Sequence, residues 1–217
     1  MAAIGETSAQ LAVKDPDVRL MIRVRDDEPG AFEELVEAYQ HRLVTVLHHL
    51  VGNVAEAEDL AQEAFLRVYR SRKKYRAKSR FSTWLFTIAN NLALNAIRSR
   101  QRRAVRLPTN NSGPLGPRPA DQLVRDRSPR PSQQLRHLEL SAMVRSALDG
   151  LNERQRMAVV LNKFEEMSYA EIAKVMNLTT KAVKSLLNRA RVNLRAALAE
   201  YVYMDSRPVP EMPNEPL

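Results

Sequence analysis

The stretch YAEIAKVMNLTTKAVKSLLNRARVNL, residues 169–194, decides the class of fold. Its apolar residues recur every three or four positions, the spacing of an amphipathic helix. A short helix over 169–176 is expected to meet a turn at Asn177-Leu178. A second helix is expected after Thr179, a good N-cap residue. Ala173 is small enough to let two helices approach closely. Asn177 is one of the few residue types that tolerate the left-handed backbone of a tight turn. Ile172, Leu178, Val183 and Leu186 would lock the pair together. This is the spacing of a helix-turn-helix, with its second helix free to enter a major groove.

That second helix divides into two faces. Val183, Leu186, Leu187, Ala190 and Leu194 point inward. Lys181, Lys184, Ser185, Asn188 and Arg195 point outward, with Arg189 and Arg191 alongside. Between Lys181 and Arg195 there are five basic residues and no acidic one. Lysine and arginine can hold phosphates, and the front residues can reach base edges. The candidate duplex-contacting set is Thr180, Lys181, Lys184, Ser185, Asn188, Arg189 and Arg191.

Further toward the N-terminus the pattern is again helical, and strand signals are weak throughout. In residues 29–53, Phe32, Leu35, Val36, Tyr39, Leu43, Val46, Leu47 and Leu50 form one apolar stripe. Pro29 suits the first turn and Gly52-Asn53 the end. A helix over about 54–71 follows, acidic at its start and basic at its end, as the helix dipole prefers. After the basic loop RKKYRAKSR comes FSTWLFTIANNLALNAIRSRQRR, residues 81–103. On a helical wheel, Leu85, Ile88, Ala89, Leu92, Ala93 and Ala96 take the apolar side. Trp84, Thr87, Asn91, Asn95, Arg98 and Arg102 take the opposite stripe. A ring set among amides and arginines is suited to stacking an unpaired base, at about 1–3 kcal/mol per base. The loop residues Lys73, Lys74, Tyr75 and Arg80, with Phe81, would extend this track for single-stranded or melted DNA.

Charge is unevenly placed. Residues 1–65 hold 5 basic and 13 acidic residues, whereas residues 66–106 hold 13 basic and none acidic. The whole chain carries +9. A block of one sign draws a polyanion and releases counterions from nucleic acid.

Residues 107–133 hold six of the twelve prolines and two of the glycines. They read as an extended, flexible linker. The expected organisation is all-α: a flexible N-terminus (1–14), a helical domain (15–106), the Pro-rich linker (107–133), a helix-turn-helix domain (134–202) and a disordered tail (203–217). The linker, at about 3.3 Å per residue, could span several tens of ångströms.

Several classes are excluded. With no cysteine there is no disulfide, thiolate metal site or cysteine nucleophile. The four histidines form no HExxH-type pair, and no glycine-rich phosphate loop exists. No enzyme, metal site or cofactor is expected. No run of about 18 apolar residues calls for membrane insertion, and the N-terminus does not read as a signal peptide. A free-standing helix-turn-helix regulator that binds duplex DNA alone is the alternative. It would not need the melting stripe of the first domain.

Three segments together resemble a bacterial RNA polymerase sigma factor of the extracytoplasmic-function type. AEAEDLAQEAFLRVYR looks like that family's core-polymerase-binding helix. Residues 81–103 look like its −10-reading segment. LNERQRMAVVLNKFEEMSYAEIAKVMNLTTKAVKSLLNRARVNLRAAL looks like its −35-reading domain. The resemblance implies that Asp59, Gln62 and Glu63 face the clamp helices of the largest polymerase subunit. It implies that the loop from Lys73 to Phe81, with Asn91 and Asn95, captures a base of the melted −10 non-template strand. Lys181, Lys184, Ser185, Asn188 and Arg189 would read the −35 duplex. The implied partners are core RNA polymerase, promoter DNA and an anti-sigma factor, in the cytoplasm and at the nucleoid when polymerase-bound. Two departures stand out. Many members have Asp where this chain has Asn95, which bears on the −10 base preferred. Many have Leu-Pro where this chain has Leu151-Asn152, at a helix start.

Overall fold

The computed structural model describes Val13 and residues 15–106 and 131–205, with side chains placed for 13, 15–103 and 140–199. Among the described residues all regular structure is helical. All but Val13 of the expected N-terminal segment, nearly all of the linker and most of the tail lie outside them. The last three residues assigned to the linker open a helix, and the first three of the tail complete one.

The first four helices are α1 (Pro16–Arg25), α2 (Ala31–Val51), α3 (Val54–Ser71) and α4 (Phe81–Arg106). A 3-10 turn, Arg72–Lys74, follows α3. Local chemistry sets the ends. Asp15 caps α1 by accepting from the Asp17 amide at 3.0 Å, and Pro16 fills the first position, where no amide donor is needed. Gly52, at φ +74°, ends α2 in a left-handed turn and donates its amide to His48 at 2.8 Å. Asn53 then caps α3 through the Glu56 amide.

The α2 stripe becomes the centre of the core. Leu35, Tyr39, Leu43, Val46, Leu47 and Leu50 are buried, and Phe32 and Val36 pack at its edge. Tyr39 meets Phe81 edge-on at 5.1 Å between centroids, and its hydroxyl donates to Asp17. Burial, with the Asp17 carboxylate beside it, pushes the Tyr39 hydroxyl well above its ordinary pKa. Helices α3 and α4 pack on α2 and on each other.

The other four helices are α5 (Pro131–Asp149), α6 (Glu153–Lys163), α7 (Tyr169–Met176) and α8 (Thr180–Asp205). Asn152, the departure from the common Leu-Pro, caps α6 by accepting from the Gln155 amide at 2.9 Å. A proline at that position would have no side-chain oxygen for this bond. Ser168 and Glu171 close a reciprocal capping box at the start of α7. Helices α5, α6 and α7 each pack on α8.

The two halves also touch. Helix α4 lies against α7, and α2 against α6, so one apolar core runs through both.

Candidate nucleic-acid interface

The helix-turn-helix forms from local signals alone. Asn177 adopts φ 52°, ψ 52°, and the Leu178 amide returns to the Ala173 carbonyl at 2.8 Å. Thr179 accepts from the Ala182 amide at 3.2 Å, capping α8. Ile172, Ala173, Val183, Leu187 and Ala190 are buried, with Leu178, Leu186 and Leu194 packed against them. Thr180, Lys181, Lys184, Ser185, Asn188, Arg189 and Arg191 are all exposed. Arg191 donates to the Tyr169 hydroxyl at 3.2 Å, which holds it toward α7. The outward face of α8 therefore offers a row of cations with Ser185 and Asn188 between them.

The second surface lies on α4 and the loop before it. Asn91, Asn95, Arg98 and Arg102 are exposed along one stripe, as the wheel predicts. Thr87 spends its hydroxyl on the Thr83 carbonyl at 2.7 Å, one turn back. Trp84 is half-buried, 4.9 Å from the Tyr75 ring and 6.0 Å from the Phe81 ring. The structure narrows the aromatic track. Tyr75 is 6 % exposed and Phe81 is fully buried, so neither ring is open to a base. They pack against Trp84, which is the one ring of the three with part of its surface exposed.

The loop cations differ in their surroundings. Lys73 and Arg72 both pair with Asp27, Arg72 at 2.8 Å. These two cations hold the Asp27 carboxyl below its ordinary pKa. Arg80 approaches Glu171 of α7 at 3.5 Å. Lys74 is exposed. Lys73 and Arg80 are thus each engaged by an internal carboxylate, whereas Lys74 has no such ion pair among the described residues. An exposed pair such as Lys73–Asp27 is worth about 0–1 kcal/mol.

A third face lies on α3. Asp59 and Gln62 are exposed, and Glu63 pairs with Arg67 one turn on at 2.7 Å. The polar members are the ones the family resemblance implies. Leu66 (47 % exposed) and Tyr69 (42 % exposed) continue it at helical spacing. Phe32 packs 4.9 Å from the Tyr69 ring, and the Arg72 guanidinium sits 3.9 Å from the ring centroid. The signal was available in the wheel that starts at Asp59, where Leu66 falls two turns on.

Among the described residues no group of acidic and histidine side chains could hold a metal ion, and no helix is long and apolar enough to cross a membrane.

Residues 35–103 match the family profile Sigma-70 region 2, and residues 141–194 match Sigma-70, region 4. The chain belongs to the sigma-70 family. Among its relatives is the ECF RNA polymerase sigma factor SigW of Bacillus subtilis, 32 % identical over 178 residues, covering 82 % of this chain and 94 % of that one. Another is the RNA polymerase sigma-H factor of Pseudomonas aeruginosa, 34 % identical over 191 residues, covering 87 % and 96 %. A solved structure of RpoE with the anti-sigma factor NepR, from Bartonella quintana, aligns with a TM-score of 0.59 at 22 % identity. It covers 78 % of this chain and 98 % of that one. That likeness speaks for the fold. The chain is thus a sigma factor of the extracytoplasmic-function type that directs promoter-specific transcription. The reading as a free-standing helix-turn-helix regulator falls away, because region 2 is present as well as region 4.

Proposed function

We infer that this sigma factor divides promoter recognition between its two cationic faces. Helix α8 reads the −35 duplex. Lys181, Lys184, Arg189 and Arg191 hold phosphates, while Thr180, Ser185 and Asn188 meet base edges. The α4 stripe holds the non-template strand of the −10 element after the pair opens. Trp84 stacks a base, Asn91 and Asn95 bond its edge, and Lys73, Lys74, Arg80, Arg98 and Arg102 follow the backbone. An amide at Asn95 can both donate and accept, whereas a carboxylate only accepts, so the base favoured here differs from that of members with Asp.

The α3 face docks on the polymerase. Asp59, Gln62 and Glu63 supply the polar contacts, and Leu66 and Tyr69 supply an apolar anchor between them and Arg72. Mixed faces of this type, an aromatic anchor with charged neighbours, suit a protein partner.

No bond is made or broken by this chain. Binding energy from polymerase, duplex and captured base offsets unstacking, which costs a few kcal/mol. The chain acts in the cytoplasm, at the nucleoid when bound to polymerase. An anti-sigma partner, of the kind solved in complex with RpoE, fits a protein whose docking faces are this open.

The observation that carries this reading is the coincidence, in one chain, of an exposed cationic groove helix and an exposed amide-arginine stripe beside a half-buried tryptophan. The test is run-off transcription with core polymerase on fragmented genomic DNA, with start sites mapped. Chain-dependent starts that share two spaced boxes are expected. No chain-dependent initiation, where a control sigma factor initiates, would contradict the reading.

A further inference from the structure

Residues 66–106 hold no acidic side chain, so the basic loop before α4 takes its counter-charge from elsewhere in the chain. At its start that charge comes from Asp27, in the turn between α1 and α2, 45 residues before Arg72. The Asp27 carboxylate accepts from Arg72 Nε at 2.8 Å and pairs with Lys73 Nζ as well. Helix α1 packs against the 3-10 turn that carries both cations. The backbone beneath Asp27 is unusual for this residue. The Glu28 amide returns to the Arg23 carbonyl at 3.0 Å, and the Asp27 amide to the Val24 carbonyl at 3.2 Å. That pair of bonds closes a helix through one left-handed residue, most often glycine. Asp27 holds φ +60° there, against the steric preference of any residue with a Cβ. Glycine would close the turn as well but would bring no carboxylate to the loop.

The two cations do not depend on Asp27 equally. Arg72 is also held by Tyr69, whose carbonyl accepts from Nη1 at 2.9 Å and whose ring centroid lies 3.9 Å from the guanidinium. For Lys73, Asp27 is the one ion-pair partner among the described residues. The Lys73 side chain is still 55 % exposed. An ammonium has three donors, so one can stay on Asp27 while another meets a phosphate. Two cations share the one carboxylate, so the cluster stays positive and attracts a phosphate. Lysine has a long, rotamer-rich stem, and ordering it before the phosphate arrives removes part of the cost of binding.

We propose that Asp27 is a positioning residue for strand capture: from the α1–α2 turn it holds Lys73 at the start of the −10 loop, ready for the backbone of the opened strand. This rests on the division of promoter recognition given above, and it adds a residue that lies on neither cationic face. Asp27 itself touches no DNA. It acts through Lys73.

The test is the rate of promoter opening by the full chain at saturating core polymerase, read as permanganate reactivity of −10 thymines over time. Asp27→Gly removes the carboxylate and suits the left-handed turn, so the urea midpoint should hold or rise. Opening should nevertheless slow about three- to tenfold, the cost of ordering one long side chain at the moment of binding. Affinity for the −35 duplex should not change. Asp27→Asn also tolerates the turn and should slow opening by a similar factor, which keeps the test readable if glycine loosens the loop. In a Lys73→Ala background, itself slow, Asp27→Gly should add less than about twofold, because the residue it acts through is gone. Wild-type opening rates in both Asp27 variants would overturn the proposal. So would slow opening confined to variants whose urea midpoint drops, or an Asp27 defect that multiplies the Lys73→Ala defect in full. If Lys73→Ala alone opened the promoter at the wild-type rate, the reading of the loop as a strand contact would itself fall, and the role of Asp27 with it.

Discussion

Neutralising the α8 cations with Lys181→Ala, Lys184→Ala and Arg189→Ala together is expected to remove measurable binding to the −35 duplex at physiological salt. All three side chains are exposed on a helix, and alanine is at least as good a helix former. Helix content and the unfolding midpoint should therefore hold. The buried face that seats α8, with Val183, Leu187 and Ala190, is untouched. Each phosphate-bound cation contributes about one unit to the slope of log affinity against log salt, so the triple variant should lose about three. Asn188→Ala acts differently. It should cost about 1–3 kcal/mol on the cognate sequence and little elsewhere, because it removes a base-edge contact and no charge. Fluorescence anisotropy across a salt series measures both. An unchanged slope in the triple variant would mean that another surface meets the phosphates.

Phe81→Ala is expected to have the largest effect on stability. Phe81 is fully buried where α4 begins, edge-on to Tyr39 and beside the Tyr75 and Trp84 rings. Removing a buried phenyl ring costs about 3–5 kcal/mol, from lost transfer energy and the cavity left behind. Against a typical stability of about 5–15 kcal/mol, that is a large share. The loss should show in urea unfolding followed by circular dichroism. Trp84 is the only tryptophan, so its emission reports the same site. A red shift without denaturant would mark the loss of its support. A change below about 1 kcal/mol would mean that the aromatic cluster is not the keystone of this corner.

How much of this was legible in the sequence depends on how local the interactions are. The helix-turn-helix was readable because Ala173, Asn177, Thr179 and Val183 act within one short stretch, each through its own size or backbone preference. The α2 stripe was readable because helical periodicity alone sorts its faces. The burial of Tyr75 and Phe81 was not. The wheel orients a side chain on its own helix, and it cannot see that Tyr39 from α2 meets Phe81 or that Tyr75 folds back under Trp84. Asn90 shows the same limit. Nothing on its own helix shows that its amide is buried against a carbonyl 85 residues away in sequence. Leu66 and Tyr69 are hard to read from the sequence for a different reason: helix dipole complementation accounts for the charges on α3, and periodicity alone does not say that an apolar residue stays exposed.

The central claim is that α8 grips intact duplex while the α4 stripe holds bases once they unpair. Permanganate reactivity of thymines at a cognate start site, with core polymerase and the variant Trp84→Ala, Asn91→Ala, Asn95→Ala, tests it most directly. The account predicts that the variant still folds, still brings polymerase to the promoter, and leaves the −10 thymines protected as in duplex. Wild-type reactivity at those thymines from a properly folded variant would contradict it.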